Sequence, residues 1–267
     1  FRRVLFRSDT KVRFSIQSIS KIITLAVALE ICGFDQVFKK VGMEPTGDPF
    51  NSLMKLENTD SSPYNPMINA GAIVVASCLA SEISFDTMLD TIRALCMDPD
   101  INLDKKVYHS EMSHISRNRA IAYLLESKGY IEKNKDVENS LHFYVKMCSL
   151  SVTAESLAGL GLILANDGIH PDTGKRLLSS QAVKIVKTLM FTCGMYDGSG
   201  EFAVRVGIPS KSGVGGGILS VVDGEMGIGI FGPALDKKGN SVAGECVLEY
   251  MSHELHLHMF DPQRHTL

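Results

Sequence analysis

The chain has 267 residues, enough for a large core and close to the length at which one core begins to divide. Its 45% apolar and 21% charged residues are those of a globular protein, and a net charge of −3 offers no electrostatic case for nucleic acid or an anionic membrane. No apolar run nears the ~20 residues needed to span a bilayer, because the stretch 22–31 is short and carries Glu30.

In chain order, residues 1–10 are an atypical start. Arg2, Arg3 and Arg7 interrupt any hydrophobic stretch, so the segment is no signal peptide and reads as truncated or foreign. Residues 11–15 alternate weakly, as at the end of a strand. Ser18 opens an apolar helix through Ile19, Ile22, Ile23, Leu25, Ala26 and Leu29 that stops at Gly33. One or two helical turns are expected at 35–41, and a long ordered loop at 42–64, rich in Pro and Gly. Helices are predicted over 66–80, over 84–97 with Ser84 as cap, and over 115–126 and 137–146. Two more are predicted from Thr153 to 166–168 and over 180–191. The period then changes. Residues 201–206 alternate like a strand, and 217–222 and 225–231 read as strands joined by Asp223-Gly224, a type I′ hairpin signal. A last helix is expected over 242–259. The pattern predicts an α+β fold, an α/β sandwich whose antiparallel sheet is built from both termini around an inserted helical subdomain. This gives a single catalytic domain over 12–260, with 66–191 mostly helical and 11–33 and 200–260 carrying the sheet.

The six cysteines, Cys32, Cys78, Cys96, Cys148, Cys193 and Cys246, form no Cys-x-x-Cys pair. They read as reduced core thiols of a cytoplasmic protein. His253, His256 and His258 fall on the expected C-terminal helix without an acidic or cysteine partner at ligand spacing, so no metal is expected.

The chemistry-bearing pattern is Ser18-Ile19-Ser20-Lys21. A hydroxyl and an amine three residues apart face each other on a helix, which suits a serine nucleophile with a lysine base. Ser-x-x-Lys also occurs at Ser8–Lys11 and Ser52–Lys55, but only at Ser18 does a long apolar helix follow. The plain alternative is a Ser18 N-cap beside a solvated Lys21. Far downstream, Lys211-Ser212-Gly213 supplies a cationic, hydroxyl-bearing edge, with Gly215, Gly216 and Gly217 permitting close backbone approach. Ser116-Arg117-Asn118 completes the Ser-x-x-Lys, Ser-x-Asn, Lys-Ser/Thr-Gly order of penicillin-recognising enzymes.

Longer segments are more specific. Phe14 through Lys21 (FSIQSISK), Asn65 through Ile73 (NPMINAGAI), Cys193 through Asp197 (CGMYD) and Lys211 through Ile218 (KSGVGGGI) together resemble the serine-dependent glutaminases. Phe231 through Asp236 and Gly239-Asn240-Ser241 continue the match over about 12–260. The likeness is to the compact bacterial form, without an ankyrin-type extension. It implies hydrolysis of L-glutamine to L-glutamate and ammonia on a β-lactamase-like or penicillin-binding-protein-like serine hydrolase fold, without a cofactor, in a homodimer or homotetramer. By position it implies Ser18 as nucleophile, Lys21 as base and Tyr196 as proton relay. Ser18, Asn69, Glu111, Asn118, Tyr144, Tyr196 and Val214 become substrate contacts, with Lys211, Ser212 and Gly213 in support. Taken alone, Glu111 and Asn118 are one helix face apart and could be plain surface, and Tyr144 could be core.

The implied chemistry sets a physical requirement. A lysine must fall from about 10.4 to ~7–8, a destabilisation of its ammonium by about 3–5 kcal/mol that burial can supply. The N–H groups of Ser18 and Val214 would be the oxyanion donors. Glu111 would take the substrate ammonium, and Asn69, Asn118 and Tyr144 its carboxylate. The family's further tyrosine, in a Tyr-Ile-Pro segment upstream of the nucleophile, has no match in this chain, from which a less stable and less active polypeptide is expected. A β-lactamase or penicillin-binding-type acyltransferase, and a catalytically silent glutamine-binding protein, are the alternatives.

Overall fold

The computed structural model describes residues 9–46, 62–133 and 136–264. Phe1 to Ser8, the Ser52–Lys55 pair and most of the loop expected over 42–64 lie outside them.

A short strand, β1 (Phe14–Ser15), leads through a 3-10 turn (Gln17–Ile19) into α1 (Ser20–Ile31). Every residue of α1 from Ser20 to Leu29 is buried, so it is a core helix apolar all round rather than an amphipathic surface one. After α2 (Phe34–Phe38) comes α3 (Asn69–Ala80), buried from Asn69 to Leu79 and packed on α1. α4 (Phe85–Cys96) is capped by Ser84 and turns Met88, Ile92 and Leu95 inward. There follow β2 (Asn102–Leu103), α5 (Lys105–Ser113), α6 (Ser116–Ser127) and α7 (Val137–Cys148), the last packed on α3. β3 (Leu150–Val152) then leads to α8 (Ala154–Ala165), which Thr153 and Ser156 start with a reciprocal capping box. α9 (Ser180–Cys193) starts where expected, is capped by Ser179 and runs two residues further than expected. A 3-10 turn (Tyr196–Gly198), α10 (Ser199–Arg205), β4 (Ser210–Ser212), β5 (Gly217–Val222), β6 (Met226–Phe231) and α11 (Val242–Glu254) complete the order.

The mixture of helices and small antiparallel sheets agrees with the expected fold class, but the strands are shared out differently. Among the described residues β4, β5 and β6 form one sheet in that order. β1 pairs not with them but with β3, Phe14 opposite Val152, and β3 pairs in turn with β2. β1 is only two residues long because the chain turns at once into the 3-10 segment, where Ile16 N–H bonds the Leu150 carbonyl at 2.9 Å. The terminal regions still meet through side chains: the Phe14 and Phe231 rings stack with centroids 4.3 Å apart.

The β5–β6 hairpin forms at Asp223-Gly224, but Val222 pairs with Met226. The loop therefore has three residues, 223–225, and Gly224 is its single positive-φ residue, so the two-residue type I′ turn is not made. α8 lies on this hairpin at very close range. A Cβ on Gly229 would sit 2.0 Å from the Ala154 carbonyl oxygen, and one on Gly227 would sit 2.2 Å from the Leu162 nitrogen.

Residues 201–205 are helical and Val206 is the C-cap, so the segment is not a strand. Phe202 and Val206 are four apart and both buried in a cluster with Ile218 and Leu248. The same Phe-x-x-x-Val spacing satisfies a helix face, and tertiary packing selects it. α11 stops at Glu254, so His256, with φ +53°, and His258 lie beyond it and the three histidines do not share a helix. Four of the cysteines are buried as expected, but Cys246 is exposed and Cys32 half-buried, so these two are not core thiols. Among the described residues no single helix is long and apolar enough to cross a membrane.

Candidate active site

Ser18 occupies the middle of the 3-10 turn that feeds α1, with no side-chain cap hydrogen bond to either helical segment, so it is not an N-cap. Gln17 before it has φ +48°, a left-handed conformation unusual for a non-glycine residue and typical of strained functional turns. One turn on, Lys21 directs its Nζ to 3.2 Å from Ser18 Oγ. Lys21 is 2% exposed, which removes the reading of a solvated first-turn lysine. Burial lowers its pKa to about 8.

The lysine Nζ also donates to the Met67 carbonyl at 3.2 Å and to Asn69 Oδ1 at 2.8 Å. Asn69, the first residue of α3, accepts at the same Oδ1 from the Tyr144 hydroxyl at 3.2 Å and donates from Nδ2 to Asn118 Oδ1 at 3.1 Å. One amide thus links side chains from α1, α3, α6 and α7. Burial holds the Tyr144 phenol well above its ordinary pKa, so it remains a hydroxyl donor.

The opposite wall comes from the C-terminal half. Tyr196 starts the 3-10 turn after α9 with φ +54° and is buried. Burial pushes its pKa up to about 12, against hydrogen bonds from the Ser18 side chain and the Val214 backbone that pull it down. Lys211 Nζ lies 4.5 Å from the centre of the Tyr196 ring and donates to the Ser212 carbonyl at 2.6 Å. Burial holds this second lysine well below its ordinary pKa. Ser212 Oγ is buried and has no hydrogen-bond partner among the described residues. Val214 rides a tight turn closed by Gly216 N–H to the Gly213 carbonyl at 2.9 Å, which Gly216 enters with φ +91°.

Glu111 reaches the same region from α5, accepting from Gln17 Nε2 at 3.3 Å. Burial raises the Tyr144 and Cys148 pKa values, and the Glu111 charge adds a smaller push in the same direction. Contrary to expectation, Glu111 and Asn118 do not share a helix: α5 ends at Ser113 and α6 starts at Ser116. All of the residues singled out from the sequence, Ser18, Lys21, Asn69, Glu111, Asn118, Tyr144, Tyr196, Lys211, Ser212, Gly213 and Val214, belong to this one neighbourhood.

Three contributors had no separate sequence signal. Gln17 was visible only as the neighbour of Ser18. The Met67 carbonyl, being backbone, leaves no trace in residue type. Cys148, a buried thiol 3.7 Å from Ser20 Oγ, looked like any core cysteine. Among the described residues no group of three or more His, Cys, Asp or Glu side chains is arranged to hold a metal ion. A hydroxyl, an amine of depressed pKa and a phenol meet at Ser18, the groups that serine acyl transfer needs.

Comparison with known proteins points the same way. The family model described as Glutaminase matches residues 3–260. A glutaminase of Fusobacterium nucleatum is 53% identical over 259 residues, which cover 96% of this chain and 84% of that protein. The crystal structure of a Bacillus glutaminase in 4.3 M NaCl superposes with a TM-score of 0.89 at 41% identity, covering 94% of this chain and 87% of that one. A Bacillus subtilis glutaminase, solved as a covalent complex with 5-oxo-L-norleucine formed from 6-diazo-5-oxo-L-norleucine, superposes with a TM-score of 0.82 at 38% identity, covering 93% and 82%.

Proposed function

This chain belongs to the glutaminase family, and on that premise we propose that it hydrolyses L-glutamine to L-glutamate and ammonia through an acyl-enzyme on Ser18, with Lys21 as the base. The observation that carries the mechanism is the buried Lys21 Nζ, 3.2 Å from Ser18 Oγ and with its pKa lowered to about 8. Roughly a tenth of such an amine is neutral at pH 7, against fewer than one in a thousand for an ordinary lysine.

The neutral amine takes the Ser18 proton as Oγ attacks the side-chain carboxamide carbon, and the carbonyl π pair moves to its oxygen. The N–H groups of Ser18 and Val214 receive that oxyanion. The Tyr196 phenol relays the proton from Lys21 to the departing nitrogen. The C–N bond then breaks and ammonia leaves, giving a γ-glutamyl ester. Water, deprotonated by Lys21, attacks this ester, its C–O bond breaks, and Ser18 recovers its proton. A Tyr196 pKa of about 12 keeps the phenol protonated and suits it to relaying rather than to acting as the base.

Free glutamine brings an ammonium and a carboxylate that both need partners. Glu111 takes the first, and Asn69, Asn118 and Tyr144 take the second by neutral hydrogen bonds. The covalent complex of the Bacillus subtilis relative supports a covalent step, because the bound compound keeps the carbon chain of glutamine with a 5-oxo carbon in place of the amide carbon. The same reading includes a single catalytic domain over 12–260, a homodimer or homotetramer, and a cytoplasmic location.

Ser18→Ala tests it. Ammonia release is expected to vanish while glutamate still binds, and a γ-glutamyl adduct is expected on the Ser18 peptide of the parent protein during turnover. Ammonia release at the parent rate by the variant would disprove the mechanism.

A further inference from the structure

Glu111 sits on the least anchored helix of the site. α5 has nine residues and none of them is buried. A helix this short is unstable by itself in water, so its position depends on tertiary ties. Asp104 caps it, accepting from the N–H groups of Lys106 and Val107, and Asp104 N–H bonds the Ser149 carbonyl at 2.9 Å. Tyr108 and Met112 pack, partly buried, on the main core. Among the described residues two side-chain hydrogen bonds join the body of the helix to the rest of the protein. One is Gln17 to Glu111. The other runs from the Tyr108 hydroxyl to Nδ1 of His142 on α7, at 2.5 Å.

Tyr108 and Glu111 are three residues apart and therefore on one face of the helix. A shift that frees Tyr108 carries Glu111 with it. The other substrate-facing groups are not exposed to that shift. Asn69 and Tyr144 are buried on α3 and α7, and Asn69 is locked to Lys21, Tyr144 and Asn118. Burial raises the Tyr108 pKa, so the phenol keeps its proton and can pair with either tautomer of the imidazole.

We propose that the Tyr108–His142 hydrogen bond is a positioning device for Glu111, fixing where its carboxylate meets the α-ammonium of the substrate and so setting affinity for amino-acid amides over amides that lack the amine. This rests on Glu111 as the partner of that ammonium. Tyr108 and His142 touch no reacting atom; they act through α5.

The test compares kcat/KM for glutamine with that for 5-amino-5-oxopentanoate, the same amide without its α-amine, in the parent, Tyr108→Phe, His142→Ala, the double variant and Glu111→Gln. Losing one hydrogen bond of this kind weakens a contact by roughly two- to tenfold. Tyr108→Phe is expected to raise KM for glutamine by that factor with kcat nearly unchanged, and to leave the des-amino amide untouched. His142→Ala and the double variant should lose no more than the single change, since all remove the same bond. Glu111→Gln should lower preference for glutamine more strongly. If Glu111→Gln discriminates between the two amides and Tyr108→Phe does not, or if Tyr108→Phe slows both amides equally, the positioning role is overturned and the ammonium site stands. If Glu111→Gln itself fails to discriminate, the ammonium assignment falls and takes this inference with it.

Discussion

The amine of Lys211 sits 4.5 Å from the Tyr196 ring centre while donating to the Ser212 carbonyl at 2.6 Å. One buried side chain therefore touches both the face of the Tyr196 ring and the backbone leading into the Val214 turn. Replacing it by methionine keeps the length and removes the donor. Lys211→Met is expected to lower kcat by roughly 10²-fold, the size of losing one oriented oxyanion donor. Steady-state ammonia release measures it, and an unchanged kcat would remove Lys211 from the supporting set.

The pH profile follows from Lys21. Its ammonium has no lone pair, so only the neutral form accepts the Ser18 proton. Since burial sets the pKa at about 8, kcat/KM should rise about tenfold per pH unit below that value and level off above it. Lys21→Arg should be inactive across the range, because a guanidinium stays charged. A profile flat from about pH 6 to about pH 9 would contradict a lysine base.

The same shift makes a stability prediction of opposite convenience. With a folded pKa of about 8 against an ordinary 10.5, the unfolded chain binds the extra proton between these two values, so unfolding free energy rises with pH across that window. Below pH 8 the folded protein carries a buried ammonium at a cost of about 3 kcal/mol. Lys21→Met avoids that cost. Its stability relative to the parent is expected to be greatest near pH 7 and to fall by about 3 kcal/mol by about pH 11. Urea unfolding of both proteins at the two pH values is the measurement; a gap independent of pH would mean that Lys21 is not held neutral by burial.

The contact of α8 with the hairpin has no room for a methyl group. At Gly229 an added Cβ would meet the Ala154 carbonyl oxygen at 2.0 Å and the Ala158 nitrogen at 2.7 Å, both backbone atoms that cannot rotate aside. Gly229→Ala is expected to lose about 3 kcal/mol or more by overpacking. Chemical unfolding would show it, and a loss below about 1 kcal/mol would mean that the helix backs away freely.

Much of the site was legible because its logic is local. The Ser18–Lys21 spacing works on any helix, the apolar run after it announces a buried one, and the turn before β5 needs its glycines. Other features were not legible. The Phe202–Val206 spacing fits a strand and a helix equally, and only packing against Ile218 and Leu248 chose the helix. The Asp223-Gly224 signal located the hairpin but not its loop length, which the register of Val222 opposite Met226 decides.

By itself, the amino-acid order determined which residue types stand ready for acyl transfer, where the core helices run, and the family to which the chain belongs. The tertiary structure decided what those residues are chemically. Lys21 has a depressed pKa because folding buries it, with Asn69 accepting from its amine, and Glu111 enters the site through α5, tethered by Tyr108 to a helix more than thirty residues away in sequence. Periodicity and spacing act over a few residues and are written in the chain. Desolvation and long-range contact arise only when distant segments exclude water together.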